Sequence, residues 1–241
     1  MKTFQLNLEK NMQIDTALIL CAGFGKRLLP LTKTVPKPLL KIGESTLLEK
    51  TIKLIEQIKI KKIKINIFYL SDEIKKFIKQ LNTNIDIDLI EDGDEILDTG
   101  GGIFNMIKDS TEENFLVFNP DTIWNENYNK YILEMTNFYF KKKISNILLV
   151  VHKDLSFDKR LQGDFNLVNE KLAKDNNKKF IYTGCQIINR NIFSKTTKKK
   201  FSMNEIWTNQ MKEFQLFGYE SNLEFLHTTD LMIYNKILKN Q

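Results

Sequence analysis

Several residue types that mark secreted, metal-binding or membrane proteins are scarce in this sequence. Only two of the 241 residues are cysteine and two are histidine, so we expect neither a disulfide framework nor a cysteine–histidine metal site. No apolar run approaches the roughly 18 residues that a membrane-spanning helix needs. Residues 1–14 mix lysine, glutamine, asparagine and glutamate without the apolar centre of a secretory signal. These absences predict a cytoplasmic protein that does not contact a membrane.

Arginine is also scarce, at three residues, although the formal net charge is +6. The remaining positive charge is lysine, which is spread along the chain. Proteins that read nucleic acid usually need arginine forks at bases or phosphates. Short lysine runs at the ends of helices and strands are typical of a solvated face instead. We therefore expect no nucleic-acid partner.

The spacing of apolar residues predicts alternating strands and helices as far as residue 142. Such alternation is typical of an α/β fold with a doubly wound, mostly parallel sheet. The predicted strands are 16–21, 63–68, 85–90 and 115–118, and the predicted helices are 46–58, 71–81, 100–107 and 127–142.

The second half has a different pattern, with strands that follow one another without long helices between them. The predicted strands are 146–152, 164–168 and 180–188, and the closing helices are 202–214 and 230–238. No linker or internal repeat separates the halves. We therefore predict one domain over residues 15–241, in which residues 15–125 form the doubly wound half and residues 126–241 contribute a smaller mixed β lobe.

The segment 20–39 carries the strongest chemical signal. It follows the first predicted strand, where ligands bind in open α/β sheets, and it contains three of the four prolines, which stiffen it. Gly23 and Gly25 would let successive backbone N–H groups surround phosphate oxygens. These features predict a phosphate-binding loop. Lys26, Arg27 and Lys37 add positive charge to it.

Two common phosphate loops do not fit this segment. A dinucleotide fingerprint needs glycine where the chain has Leu28, and a Walker A loop needs serine or threonine where it has Arg27.

The whole pattern resembles the sugar-1-phosphate nucleotidyltransferases. The loop matches their G-x-G-x-R-L-x-P-L-T-x3-P-K-P, over residues 23–38. The motif L-D-T-G-G-G-I at 97–103 is similar to the N-acetylmuramate-1-phosphate uridylyltransferase branch. Further matches are N-P-D at 119–121, G-D-F at 163–165 and Y-T-G at 182–184.

This resemblance implies an enzyme with a Rossmann-like nucleotidyltransferase fold, a nucleotide-binding first half and a sugar-binding second half. It would make an NDP-sugar and pyrophosphate from a nucleoside triphosphate and a sugar 1-phosphate, as a monomer or small homo-oligomer. The branch implies UTP and N-acetylmuramate 1-phosphate, a step in cell-wall recycling. A mannose-1-phosphate guanylyltransferase is the alternative, since only the base and sugar pockets would differ. A non-catalytic nucleotide-sugar-sensing domain is the alternative of another class.

The chemistry and the resemblance together assign three catalytic residues. Arg27 would hold the leaving pyrophosphate, because its fork binds two oxygens at once. Lys37 would contact the α-phosphate or the sugar phosphate as a point charge. Asp121, after a buried strand, would bind Mg²⁺, which prefers carboxylate and phosphate oxygens.

The remaining site residues follow from the motifs. Those expected to bind nucleotide are Leu20, Ala22, Gly23, Gly25, Lys26, Asp92, Thr99, Gly100 and Gly101. Those expected to face the sugar are Asn119, Gly163, Asp164, Gly184 and His227.

His227 is a departure from the pattern, because many relatives have a second metal-binding aspartate at this position. Imidazole is a poor ligand for Mg²⁺. We therefore expect Asp121 and triphosphate oxygens to hold the ion, with His227 touching phosphate or ordered water. Asp230, three residues later, is more typical of the N-cap of the last helix.

Overall fold

The computed structural model describes residues 13–240. Most of the N-terminal segment on which the cytoplasmic prediction depends lies outside these residues. The strands are β1 (Thr16–Leu20), β2 (Lys41–Ile42), β3 (Ser45–Thr46), β4 (Lys62–Ile67), β5 (Asp86–Glu91), β6 (Asn114–Phe118), β7 (Asn146–His152), β8 (Asn166–Val168), β9 (Lys171–Ala173), β10 (Phe180–Asn189) and β11 (Phe217–Ser221). The α-helices are α1 (Leu47–Gln57), α2 (Ser71–Gln80), α3 (Asp98–Ile107), α4 (Tyr128–Lys142), α5 (Met203–Lys212) and α6 (Leu231–Lys239).

Nine of these strands form one sheet in the order β5-β4-β1-β6-β10-β7-β11-β9-β8. The first four are parallel to one another, so their carboxyl ends share an edge. The predicted α/β fold with a mostly parallel sheet is therefore confirmed. The strands of the second half extend the same sheet: β10 runs antiparallel between β6 and β7, and β8 and β9 pair at the far edge.

Alternate residues of β1 point to the two faces of the sheet, as the pleat requires. Ala17 and Ile19 belong to the apolar core that includes α1 and α4. Leu18 belongs to a second core, built with α3 and α5. Helices on both faces therefore cover the central strands and leave their carboxyl ends as the accessible edge. Within the described residues, no helix has the length and apolar character needed to cross a membrane.

Strand β10 changes its register against β7 between Tyr182 and Gln186. Such a bulge bends a strand and redirects its side chains. Gly184 lies inside the bulge with φ +92°, in the left-handed region that favours glycine. Its carbonyl accepts a hydrogen bond from the Asn119 N–H at 2.7 Å, which joins the bulge to the end of β6.

Candidate active site

A cavity of about 260 Å³ opens at the carboxyl ends of β1 and β6. In open α/β sheets, ligands bind at the carboxyl ends of the strands. Most residues that line this cavity were predicted from the sequence as site residues. The predicted residues that line it are Leu20, Ala22, Gly23, Gly25, Lys37, Asp92, Thr99, Asn119 and Asp121.

The loop after β1 is held in one shape by its own contacts. Gly25 has φ +62°, and a Cβ there would lie 2.9 Å from Cγ2 of Thr32. The Thr32 hydroxyl donates to the Gly25 carbonyl at 2.9 Å. Leu28 is fully buried and anchors the first of three short 3-10 turns. This folding carries the third turn, with Lys37, back to the cavity.

Lys37 and Asp121 both line the cavity, and His227 contacts the same carboxylate. The ammonium of Lys37 lies 2.6 Å from Oδ2 of Asp121, and Nε2 of His227 lies 3.1 Å from the same oxygen. The backbone supports this contact, because the N–H of Thr228 donates to the Asp121 carbonyl at 2.9 Å. Thr122 and His227 also form a β-bridge. Three distant parts of the sequence are therefore fixed around one carboxylate.

Asp121 is charged in this setting. Burial would raise the pKa of its carboxyl, but the charges of Lys37 and His227 and their hydrogen bonds outweigh burial and hold that pKa well below its usual range. Its second oxygen, Oδ1, is buried and has no hydrogen-bond partner among the described residues. A buried carboxylate oxygen without a partner is costly unless a ligand satisfies it.

A hard cation fits that oxygen. The described residues contain no group of three or more metal-ligating side chains, so Asp121 would be the main protein ligand. Mg²⁺ suits such a site, because it commonly takes one or two carboxylates together with phosphate oxygens and water. The ring of His227 lies against the Asp121 carboxylate and is stacked on Phe225, and its predicted contact with the sugar remains a prediction.

Lys26 and Arg27 lie on the exposed first turn beside the cavity. Arg27 makes no hydrogen bond or ion pair with any described residue, and its side chain is exposed. The ammonium of Lys26 lies 5.3 Å from the ring centroid of Phe24. Arg27 is therefore available to an incoming anion without first breaking a contact.

Asp92 lines the cavity, but its carboxylate is engaged within the protein. It accepts from Nδ2 of Asn66 at 3.1 Å and from the Leu97 N–H at 3.2 Å. Asn66 in turn accepts from the Cys21 N–H at 2.9 Å. Burial raises the pKa of Asp92, and these hydrogen bonds only partly offset that effect. Sequence reasoning missed Asn66, whose signal is an amide near the end of a strand in which lysine and isoleucine alternate.

The glycine-rich start of α3 packs against the segment that leads into α5. The Gly101 N–H donates to the Phe201 carbonyl at 3.0 Å, and a Cβ on Gly100 would clash with the Phe201 ring. The Thr99 hydroxyl accepts from the Met203 N–H at 2.9 Å and so caps α5. At least part of the glycine motif thus serves helix packing. The predicted nucleotide contacts of Thr99, Gly100 and Gly101 remain predictions.

The predicted sugar-facing residues fall into two places. Asn119 lines the first cavity, and Gly184 lies against Asn119 from β10. Gly163 and Asp164 line a second cavity of about 340 Å³. Sequence reasoning missed Trp207, which lines the same cavity from α5.

Replacing Gly184 with alanine should disturb the site through the backbone. The new Cβ would lie 2.9 Å from Cβ of Asn119, in a φ region that L-residues rarely adopt. We expect a loss of about 2–4 kcal/mol in the free energy of unfolding and a fall in turnover of at least about tenfold. Denaturant unfolding and steady-state kinetics check this. The Gly23→Ala control has open space around its new Cβ and should keep its stability, so equal destabilisation of both variants would contradict the prediction.

The nucleotidyl transferase family matches residues 16–157, which is more than half of the chain. The chain therefore belongs to that family, and the predicted resemblance is confirmed at this level. It is 27% identical over 206 residues to D-glycero-alpha-D-manno-heptose 1-phosphate guanylyltransferase of Campylobacter jejuni, covering 83% of this chain and 87% of that protein.

Two further similarities mark the range of the family. The chain is 40% identical over 119 residues, or 46% of its length, to the bifunctional protein GlmU of Methanococcus aeolicus, and it covers 25% of that protein. It thus spans less than half the length of the GlmU relatives that it matches. Its fold is similar to HddC of Yersinia pseudotuberculosis complexed with GMP-PN, with a TM-score of 0.74, 22% identity, and 94% and 99% of the two chains covered.

Proposed function

We propose that this chain transfers a nucleotidyl group from a nucleoside triphosphate to a sugar 1-phosphate. The observation that carries the proposal is the Asp121 carboxylate, which has one oxygen held by Lys37 and His227 and the other buried without a described partner. This carboxylate lies in the same cavity as the glycine loop. A cation, a nucleoside triphosphate, a sugar 1-phosphate and positive side chains would meet there.

In the proposed reaction, an oxygen of the sugar phosphate attacks the α-phosphorus. The bond from that phosphorus to the bridging oxygen of the β-phosphate breaks, and pyrophosphate leaves with the electron pair. The attacking oxygen is already anionic, so no general base is required. Catalysis then depends on positioning and on stabilising negative charge.

The side chains divide this work. Lys37 is largely buried beside Asp121 and places a fixed positive charge where the α-phosphate and the sugar phosphate would meet. Arg27 is exposed on the first turn, and its fork suits two oxygens of the leaving pyrophosphate. Asp121 would hold Mg²⁺, which when bound supplies charge neutralisation on the phosphates.

For the substrates, we propose UTP and N-acetylmuramate 1-phosphate. The support is the L-D-T-G-G-G-I motif at 97–103, together with G-D-F at 163–165. Guanylyl transfer is the alternative, and the names of two relatives favour it: the Campylobacter enzyme is a guanylyltransferase, and HddC was solved with GMP-PN. The sensing-domain alternative is disfavoured by the joint presence of Arg27, Lys37 and Asp121.

A pyrophosphate-release screen tests the proposal. The four common nucleoside triphosphates are combined with the 1-phosphates of N-acetylmuramate, N-acetylglucosamine, glucose, mannose and manno-heptose, in Mg²⁺. We expect release above the enzyme-free blank, with UTP and N-acetylmuramate 1-phosphate favoured in kcat/KM by about a hundredfold over the other bases. Fastest release with GTP would support guanylyl transfer. Nucleotide binding without turnover of any pair would support the sensing domain.

A further inference from the structure

The second cavity is rich in unpaired positive charge. Lys174 and Lys178 both line it, and both side chains are exposed. Neither makes an ion pair or side-chain hydrogen bond with a residue in the described part of the chain. The ammonium of Lys174 lies 5.7 Å from the ring centroid of Phe165, which also lines this cavity.

The negative charge in this cavity is limited and partly engaged. Asp164 is the carboxylate that lines it, and its Oδ2 accepts from the Tyr182 N–H at 2.9 Å. Two lysines therefore face one aspartate that already holds the backbone of β10. The first turn of α5 reaches the cavity through Asn204, and the N-terminal end of a helix adds partial positive charge. The electrostatic balance favours an anion.

The backbone keeps this arrangement close to β10. Gly163 has φ +92°, and a Cβ there would lie only 2.7 Å from the Lys178 carbonyl oxygen. Any side chain at position 163 would push the Lys178 segment away. Glycine at this position thus lets the backbone at 163 pass close to the backbone at Lys178, which brings Lys178 to the cavity.

Tyr182 connects this cavity to the proposed reaction centre. It lies at the start of the β10 bulge, two residues before Gly184, which contacts Asn119. Its hydroxyl oxygen is buried and has no hydrogen-bond partner among the described residues. Burial, with smaller contributions from Cys185 and Asp121, holds the pKa of Tyr182 well above its usual value, so the hydroxyl is a neutral donor. Tyr182, which lines the second cavity, is therefore linked through Gly184 to Asn119 in the lining of the first.

We propose that the acceptor sugar carries a second anionic group, and that Lys174 and Lys178 bind this group at the second cavity. The inference rests on the proposed function, because it assumes a sugar 1-phosphate at Asp121. The second anion would be a carboxylate or a phosphate. N-acetylmuramate 1-phosphate has such a carboxylate, whereas the 1-phosphates of N-acetylglucosamine, mannose and heptose do not.

Two acceptors that differ by one lactyl ether group, which carries the carboxylate, give the sharpest test. N-acetylmuramate 1-phosphate is N-acetylglucosamine 1-phosphate with an added lactyl carboxylate. We expect the double variant Lys174→Met/Lys178→Met to raise KM for the first by about tenfold and to leave KM for the second unchanged. Added NaCl should weaken the wild-type preference. The matched control is Lys179→Met, an exposed lysine that does not line the cavity.

Further acceptors identify the anion. Glucuronic acid 1-phosphate tests a carboxylate, and glucose 1,6-bisphosphate tests a phosphate, each against glucose 1-phosphate. A wild-type preference for either charged member, lost in the double variant, supports the inference. Equal losses for charged and uncharged acceptors, or no wild-type preference for charge, overturn it.

Failure of the proposed function gives a different result. Titration calorimetry with N-acetylmuramate 1-phosphate and N-acetylglucosamine 1-phosphate makes the same comparison without turnover. Selective binding that depends on Lys174 and Lys178, in a chain that never releases pyrophosphate, contradicts only the proposed function. Unselective or absent binding contradicts the inference.

Discussion

Replacing Asp121 with asparagine is expected to lower the rate of pyrophosphate release by about a thousandfold. Asparagine keeps the size of the side chain but removes the charge that balances Lys37 and His227 and that would hold Mg²⁺. Charge stabilisation is expected to dominate this reaction, so the loss should appear in kcat and in kcat/KM alike. Rates in Mg²⁺ and in Mn²⁺, with UTP and with GTP, measure it.

The same substitution should also lower stability, by about 1–3 kcal/mol. Lys37 is only 13% exposed, so its ammonium would lose a close anionic partner without full access to water. Denaturant unfolding separates this effect from catalysis, since the protein should stay folded while inactive. The matched control is Asp88→Asn, whose partner Lys62 lies 2.7 Å away on the exposed surface. That variant should keep full activity and most of its stability.

Full activity in Asp121→Asn would contradict the proposed function, which depends on the Asp121 carboxylate. A folded variant with normal nucleotide binding and no turnover would support it. If Asp121→Asn does not fold, Asp121→Glu is tested in its place, because glutamate keeps the charge and moves it by one methylene. We expect this second variant to fold and to recover part of the lost rate.

The parts of the site that could be predicted from sequence are those encoded by near neighbours. Gly25 and Lys37 belong to one loop, and Asp121 lies three residues after the end of the buried strand β6. Such a loop and strand are recognisable because glycine, proline and apolar residues each restrict the local backbone. The mostly parallel sheet was predictable for the same reason, since its strands alternate with amphipathic helices.

The parts that were missed depend on contacts between distant segments. Asn66 reaches Cys21 and Asp92, which are 45 and 26 residues away in sequence. Lys174 and Lys178 looked like ordinary surface lysines, and only the crossing at Gly163 brings them beside Tyr182. Nothing in local spacing distinguishes such residues from solvated ones.

Strand β11 was missed because its local composition does not favour a strand. It contains Gly218 and Glu220, but it is stabilised as the parallel neighbour of β7. Gly218 fits because a Cβ there would lie 2.7 Å from Cδ2 of Leu172. Tertiary packing decides strand formation more often than intrinsic preference does.

Replacing Arg27 with alanine should give the second large effect. Unlike the Asp121 substitution, it should lower the rate without lowering the stability. Arg27 is exposed and makes no polar contact with the described residues, so its loss should change the free energy of unfolding by less than about 0.5 kcal/mol. We nevertheless expect turnover to fall by about a hundredfold to a thousandfold, because its fork would hold the leaving pyrophosphate. Arg27→Lys should recover only part of the rate, since an ammonium is a point charge.

Inhibition by added pyrophosphate distinguishes this role from a general effect of charge. If Arg27 holds the leaving group, Arg27→Ala should weaken product inhibition by pyrophosphate in parallel with the loss of turnover, while KM for the sugar 1-phosphate stays nearly constant. Lys33→Ala provides the matched control, because Lys33 is another exposed cation, on the next turn of the same loop, and should leave both quantities unchanged. Unchanged pyrophosphate inhibition in a slow Arg27→Ala enzyme would assign Arg27 to the incoming triphosphate instead. Asp121 and Arg27 thus make separable contributions, because one charge is buried and paired within the protein and the other is exposed and available to the ligand.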